Sequence, residues 1–393
     1  MSRILLTWEL GLNLGHLARL LPLAQQLVAD GHVVLVATRD IQSAARVLGP
    51  AGIPFVQAPH LPKGIALPHR ASGYADILLS QGWSDEPTLR GLTLAWLNLL
   101  RLFKPERLVL DYSPTVSLAA RIENIPTVSV GNGFELPPLT DPLPPFPLFS
   151  WATPDLAAKS EARAVANANR VLSTLHAPTL TALRELFERQ TRLFATFAEL
   201  DHYGARHGEG HYIGPLFGAL RTRRIGWPEG TGPRIFACLR QDTASVQAIL
   251  GALGALQARV LCVVPGFERR QLEPFARDHI RYVADPVDLE PLLDADVAVT
   301  YGAEGTILRF LTAGVPQVIS PWHVETFMAA RRIEAAGLGA FLPGTTDSQA
   351  VSDLIARVAG DTAMRRNVGE FAQRTRHVTE SRALTSWFGT TTH

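Results

Sequence analysis

Two cysteines, Cys238 and Cys262, are too few among 393 residues for a disulfide framework or a cysteine metal cluster. Both sit in apolar runs that read as strands, where a free thiol behaves as a small buried hydrophobe. Neither sign of charge is in excess: 37 Lys and Arg stand against 36 Asp and Glu, a formal net charge of +1. That balance removes the electrostatic footprint of a general nucleic-acid binder, so no nucleic-acid partner is expected. Long hydrophobic runs are missing too. The richest apolar stretch, around Leu20 to Ala37, is broken by Asp30-Gly31-His32, and none reaches the roughly 20 residues of a membrane helix. The N-terminus turns polar after a few apolar residues, too soon for a signal-peptide core. The expected location is the cytoplasm. No short tandem repeat is visible.

What is present is an ordinary globular composition, 47% hydrophobic and 19% charged, in a chain longer than one core usually serves. Apolar periodicity alternates between strand and helix in both halves. Ile4–Thr7 reads as a buried strand. Leu17, Leu20, Leu21, Ala24, Leu27 and Val28 recur at helical spacing, with Pro22 expected to kink that helix or mark a late start. Asp40 reads as the N-cap of a helix through Val47. Strands at Val33–Ala37, Pro54–Gln57, Leu108–Asp111 and Thr127–Val130 follow, with helices at 87–102 and through Glu123. Residues 58–85 and the proline-rich 137–147 read as irregular, 155–188 as a long helical stretch, and Phe194–Phe197 as a strand, with another ending at Ile213. The second half restarts with strands at Ile235–Leu239, Val260–Val264, Val297–Thr300 and Gln317–Ser320. This rhythm predicts an α/β fold of two Rossmann-like domains with parallel sheets facing across a cleft. The expected divisions are 1–218, an Arg-rich linker at 219–232, 233–376, and a C-terminal segment 377–393 whose helix at about Ser381–Phe388 crosses back onto the first domain.

Three segments could carry chemistry. Gly11-Leu-Asn-Leu-Gly15-His16 follows the first strand and opens a helix; glycines allow a tight turn, and His16 at the helix mouth could accept a proton near neutral pH. As a bland alternative, His16 caps or packs. Asp111 ends a buried strand and could orient His16 and balance its charge, or simply cap the helix near Pro114. Tyr301-Gly302-Ala303-Glu304-Gly305-Thr306 follows the Val297–Thr300 strand and opens a helix, so its main-chain amides could cradle a diphosphate. Asp294-Ala-Asp296 lacks the further oxygen ligands a metal needs, and no metal site is predicted. His32 reads as structural, and Arg331-Arg332 as a solvated face.

Together these segments resemble the GT-B glycosyltransferases of the UDP-glucuronosyltransferase and antibiotic-macrolide type. The opening glycine and histidine, Gly31-His32-Val33, Leu108–Asp111, Ile213-Gly-Pro-Leu and the stretch from Val283 to Gly339 carry the likeness, most densely over 281–340. Family members usually have His-Gly-Gly-x-Gly-Thr where this chain has Tyr301–Thr306. A ribose-binding glutamate is replaced by Arg309, the Asp-Gln pair by Glu325-Thr326, and a following asparagine by Ala329. Glu304 also resembles the glutamate that protein-arginine rhamnosyltransferases place in this turn. The resemblance implies an inverting, metal-independent hexosyl or deoxyhexosyl transfer from a UDP- or dTDP-sugar to an acceptor, with the nucleotide sugar as co-substrate and no cofactor. It assigns His16 as base and Asp111 as its partner. Tyr301, Gly302, Ala303, Glu304, Gly305, Thr306 and Arg309 are assigned to the diphosphate and nucleotide, and backbone near Pro286 and Val287 to the base. Glu325 and Thr326 are assigned to the sugar, and 136–188 to an acceptor wall. The altered motif also fits a non-catalytic homologue that partners another transferase. A sugar-nucleotide epimerase is the third reading, with fewer acid/base groups to support it.

Overall fold

The computed structural model describes residues 1–12, 14–218 and 222–380. They form two compact units, one on either side of residue 220. The first contains β1 (Arg3–Trp8), α1 (Gly15–Ala29), β2 (Val33–Thr38), α2 (Ile41–Val47), β3 (Phe55–Gln57), α3 (Tyr74–Leu78), α4 (Glu86–Phe103), β4 (Arg107–Asp111), α5 (Pro114–Glu123), β5 (Thr127–Gly131), α6 (Pro154–Thr174), β6 (Thr191–Phe194) and β7 (His211–Tyr212). Its seven strands are ordered β3-β2-β1-β4-β5-β6-β7, all parallel. Each central strand is buried on both faces, which is why it reads as a continuous apolar run. Along β1, Ile4, Leu6 and Trp8 pack on Leu17, Leu20, Leu21 and Ala24 of α1. Leu5, pointing the other way, joins Trp96 and Leu97 of α4 and Val116 of α5.

The second unit contains β8 (Arg234–Cys238), α7 (Val246–Ala255), β9 (Arg259–Val263), α8 (Arg269–Leu272), β10 (Ile280–Val283), β11 (Val297–Thr300), α9 (Glu304–Thr312), β12 (Gln317–Ile319), α10 (Val324–Ala335), β13 (Gly339–Phe341), α11 (Ser348–Gly360) and α12 (Thr362–Glu380). Its six parallel strands run β10-β9-β8-β11-β12-β13. In each sheet the order reverses once, between β1 and β4 and between β8 and β11. The carboxyl ends at such a switch point are where open α/β sheets bind ligands. The two-Rossmann-unit α/β class expected from the sequence is present.

Several local expectations change. Pro22 does not delay α1: the helix runs from Gly15 to Ala29 with Pro22 inside it. The carbonyl of Ala18, which Pro22 has no N–H to satisfy, accepts instead from the Gly218 amide at 2.8 Å. A Cβ at Gly218 would collide with that same oxygen. The helical stretch expected to 188 stops at Thr174, where His176 turns left-handed (φ 55°) and Pro178 follows. The strand expected at Phe194–Phe197 lies at Thr191–Phe194, because its partner β5 ends at Gly131, opposite Phe194. A short helix, α3, occupies part of the stretch read as irregular. The unforeseen β10 and β13 are edge strands without fully buried apolar runs. In the segment expected as a linker, Arg223 bridges to Val287 and Ile225 is buried in the second core. The helix expected near Ser381–Phe388 lies outside the described residues. Among the described residues no helix is long and apolar enough to cross a membrane.

Candidate active site

In the first unit the chemistry gathers at the carboxyl ends of β1, β4 and β5. The parallel register sets Trp8 beside Asp111. The loop after β1 is pinned by the Leu10 amide donating to the Tyr112 carbonyl (3.0 Å) and by Trp8 Nε1 donating to the Leu10 carbonyl (2.7 Å). Gly11 is left-handed (φ 82°), and a Cβ there would collide with His16 Nε2. Glycine thus both makes the turn and keeps that nitrogen uncovered. His16, in the first turn of α1, stacks on Trp8 with ring centroids 4.9 Å apart. Its Nδ1 lies 2.8 Å from Asp111 Oδ1.

Two further charges complete this cluster, and the motifs had indicated neither. Arg19 donates to Asp111 Oδ1 (2.9 Å) and to Glu135 Oε2 (2.6 Å). Glu135 Oε1 stands 3.7 Å from His16 Nδ1. Glu135 is held by its own loop: its Oε2 accepts from the Asn132 amide (2.7 Å), and Asn132 Oδ1 accepts from the amides of Phe134 and Glu135. All four side chains are buried. Arg19 had left a trace in the sequence, since it interrupts the apolar face shared by Leu17, Leu20 and Leu21. Burial works against the charged imidazole, yet Asp111, through charge and hydrogen bond, and Glu135 outweigh it, so the His16 pKa is raised above its usual 6.5 despite the opposing Arg19. His16, Asp111 and Glu135 could each offer an atom to one cation. Arg19 already holds both carboxylates by hydrogen bonds.

Beside them, Glu9 caps α5 from outside by accepting from the Thr115 amide (2.9 Å); burial raises its pKa to about 7. Tyr74, Tyr112, Phe134, Phe146 and Phe187 form a buried aromatic cluster next to His16. Phe146 and Phe187 fall within the expected acceptor wall at 136–188, whereas Tyr74, Tyr112 and Phe134 lie outside it.

In the second unit, Tyr301–Ala303 turn from β11 into α9 at the switch point. Gly302 is left-handed (φ 99°), and a Cβ there would stand 2.8 Å from Thr326 Cβ. Ala303 is the N-cap and offers no side-chain oxygen, so no side chain caps α9. Glu304, Gly305 and Thr306 form its first turn, with Gly305 exposed. Glu304 there complements the helix dipole. Burial and the nearby Cys238 raise the Tyr301 phenol. A cation next to this turn is Arg240, beyond β8: its guanidinium lies 3.9 Å from the Trp322 ring centroid and 5.7 Å from that of Tyr301, and Asp242 accepts two hydrogen bonds from it (2.9 Å each). Arg309, expected at the phosphates, lies on the last turn of α9 and is 3.7 Å from Glu290.

Thr326 is buried, and its hydroxyl is engaged within its own turn: it accepts from the amides of Trp322 (3.1 Å) and His323 (3.2 Å) and donates to the His323 carbonyl (3.0 Å). It organises the start of α10. Val287 points its side chain into the second core, while Pro286 is exposed. His323 had been passed over; burial, then Arg240, depress its pKa to about 4, so it stands neutral beside Glu325, whose Oε2 is 4.0 Å away. Its Nδ1 accepts from the Thr326 amide at 3.4 Å. Thr326→Val should therefore destabilise the second unit by about 1 kcal/mol, the usual worth of a cap, with little change in nucleotide affinity. Thermal melts with and without thymidine diphosphate check this. Loss of affinity for dTDP-glucose but not for thymidine diphosphate, without loss of stability, would support Thr326 as a sugar contact.

Two Rossmann-like units of this kind, each with its sheet order reversing once, make up the GT-B architecture. Residues 247–378 match the family model for the C-terminal domain of proteins like erythromycin biosynthesis protein CIII. The chain is similar to the L-demethylnoviosyl transferase of Streptomyces niveus, 27% identical over 376 residues that cover 91% of this chain and 90% of that one. Its fold is that of the calicheamicin glycosyltransferase CalG4 (TM-score 0.72, 18% identity, 100% and 99% of the two chains covered). It is also that of the glycosyltransferase VinC, solved in complex with DTDP (TM-score 0.66, 16% identity, 98% of each chain). The fold is GT-B, and the resemblance to macrolide-type glycosyltransferases carried by the motifs is borne out.

Proposed function

We propose that this chain transfers a sugar from a thymidine-diphosphate donor to an acceptor nucleophile with inversion, without a cofactor or a metal. The observation that carries the reading is the buried His16–Asp111 contact at 2.8 Å, with Nε2 left uncovered by Gly11. Asp111 fixes the imidazole with Nδ1 protonated, so Nε2 is the basic nitrogen. The acceptor proton passes to Nε2. The acceptor lone pair forms the bond to the anomeric carbon, and the bond from that carbon to the phosphate oxygen breaks, its electrons leaving with the nucleoside diphosphate. Amides of the Ala303–Thr306 turn and the α9 dipole would stabilise that leaving charge. Glu325 is the remaining side chain for the sugar hydroxyls, and Glu304 for the ribose. Thymidine diphosphate is preferred to UDP because VinC, which shares the fold, was solved with it.

The test is a thermal-shift comparison of TDP, UDP and their sugars, since a ligand that binds only the folded state raises its apparent stability. TDP compounds should shift the melt more than UDP compounds. If none binds, the non-catalytic homologue is the better reading.

The pH dependence follows from His16. Its raised pKa means the base is protonated in mild acid, so kcat/KM should rise with pH through an apparent value above 6.5. The same shift stabilises the fold fully below about 6.5, and that contribution is lost as pH rises through the folded value. An acid limb centred well below 6.5 would remove His16 as the base.

A further inference from the structure

The buried cluster around His16 holds more charge than a base and its orienting partner require. Asp111 comes from β4, Glu135 from the loop after β5, and Arg19 lies one turn beyond His16 on α1. Arg19 bridges the two carboxylates at 2.9 and 2.6 Å, and both face Nδ1 of His16, at 2.8 and 3.7 Å. Two carboxylates and one guanidinium leave one negative charge over, and the imidazolium of His16 is the group placed to balance it. Trp8, Tyr112 and Gly11, which also neighbour the ring, bring no ionised group. Paired buried charges of this kind are costly to assemble, and an unpaired one more so. Within its loop Glu135 accepts from the Asn132 amide only through Oε2 (2.7 Å), while Oε1 is the oxygen turned toward His16.

We propose that Arg19 and Glu135 are positioning residues for His16, Glu135 supplying a second negative charge to the imidazolium and Arg19 clamping both carboxylates at fixed distance from it. The proposal deepens the transferase reading and rests on it only for its kinetic consequence. The proton that His16 takes stays on the ring; Glu135 and Arg19 neither receive nor pass it on. Removing Glu135 weakens the hold on the charged ring. Removing Arg19 has the opposite sign, because its charge opposes that of the imidazolium.

The experiment is an NMR titration of the histidine side chains in the full chain, with His16 assigned by the resonance missing in His16→Gln. Wild type, Glu135→Gln, Arg19→Met and Arg19→Lys are compared, with circular dichroism to check folding. The His16 midpoint should fall by about one pH unit in Glu135→Gln, rise in Arg19→Met, and return towards wild type in Arg19→Lys. The kcat/KM profile with dTDP-glucose, read as dTDP release, should move by the same amount and in the same direction. An unchanged midpoint in a folded Glu135→Gln protein overturns the role of Glu135. Should that variant not fold, the arginine pair decides: coincident midpoints in Arg19→Met and wild type overturn the proposal. Shifted midpoints without release of dTDP or UDP from any sugar nucleotide uphold the positioning role and sink the transferase reading instead.

Discussion

His16→Ala should lower turnover by about two to four orders of magnitude, the usual worth of a positioned general base, while thymidine diphosphate still raises the melting temperature as in wild type. The two readouts separate because the two tasks fall on different units. The base lies at the mouth of α1, and the nucleotide is assigned to the start of α9. The loss should be steep because only one ring atom is available for the proton. Nδ1 is committed to Asp111, and a side chain at residue 11 would collide with Nε2. Asp111→Asn should reproduce much of the defect by favouring the wrong tautomer, as an amide can donate to Nδ1. Steady-state turnover with saturating donor is the measurement. Wild-type rates in His16→Ala would take the histidine out of the mechanism and leave the first unit without an identified base.

Gly302→Val should abolish the thermal response to thymidine diphosphate and lower stability. Two costs coincide at this position. A φ of 99° is strained for any residue with a Cβ, worth about 1–3 kcal/mol, and that Cβ would stand 2.8 Å from Thr326. Thr326 holds the amides of Trp322 and His323, so pushing it away would disturb the start of α10 as well as the turn into α9. Gly305→Ala is the control: Gly305 has open space around it and an ordinary φ, and its stability should stay close to wild type. Differential scanning fluorimetry with and without the nucleotide distinguishes the cases. A normal response in Gly302→Val would mean that the diphosphate does not depend on this turn.

Much of this architecture was legible in the residue order. A central strand buried on both faces writes itself as an apolar run, and a helix packed on a sheet writes itself at a spacing of three and four. Hence β1, β4, β8 and β11 lie within a residue or two of their expected places. Local capping was equally readable: Asp40 accepts from the amides of Gln42 and Ser43, as its position ahead of α2 implies. The errors are of another kind. The end of α6, the shift of β6 and the edge strands β10 and β13 depend on what lies beside each segment, which periodicity does not record.

The same division runs through the site. The order of residues by itself determined a strand, a glycine turn and a helix that place His16 at a sheet's carboxyl edge, and a carboxylate at the end of another strand. Local sterics and hydrophobic burial act over a few residues, so they are written in short stretches of chain. Only the tertiary structure decided that Arg19 meets Glu135, 116 positions away, and that both join Asp111 around one imidazole. It also decided that Thr326 spends its hydroxyl on its own turn and that Arg240 lies over Trp322 beside α9. Charge and hydrogen-bond pairing act between surfaces that chain folding brings together, and no spacing along the sequence encodes which surfaces those are.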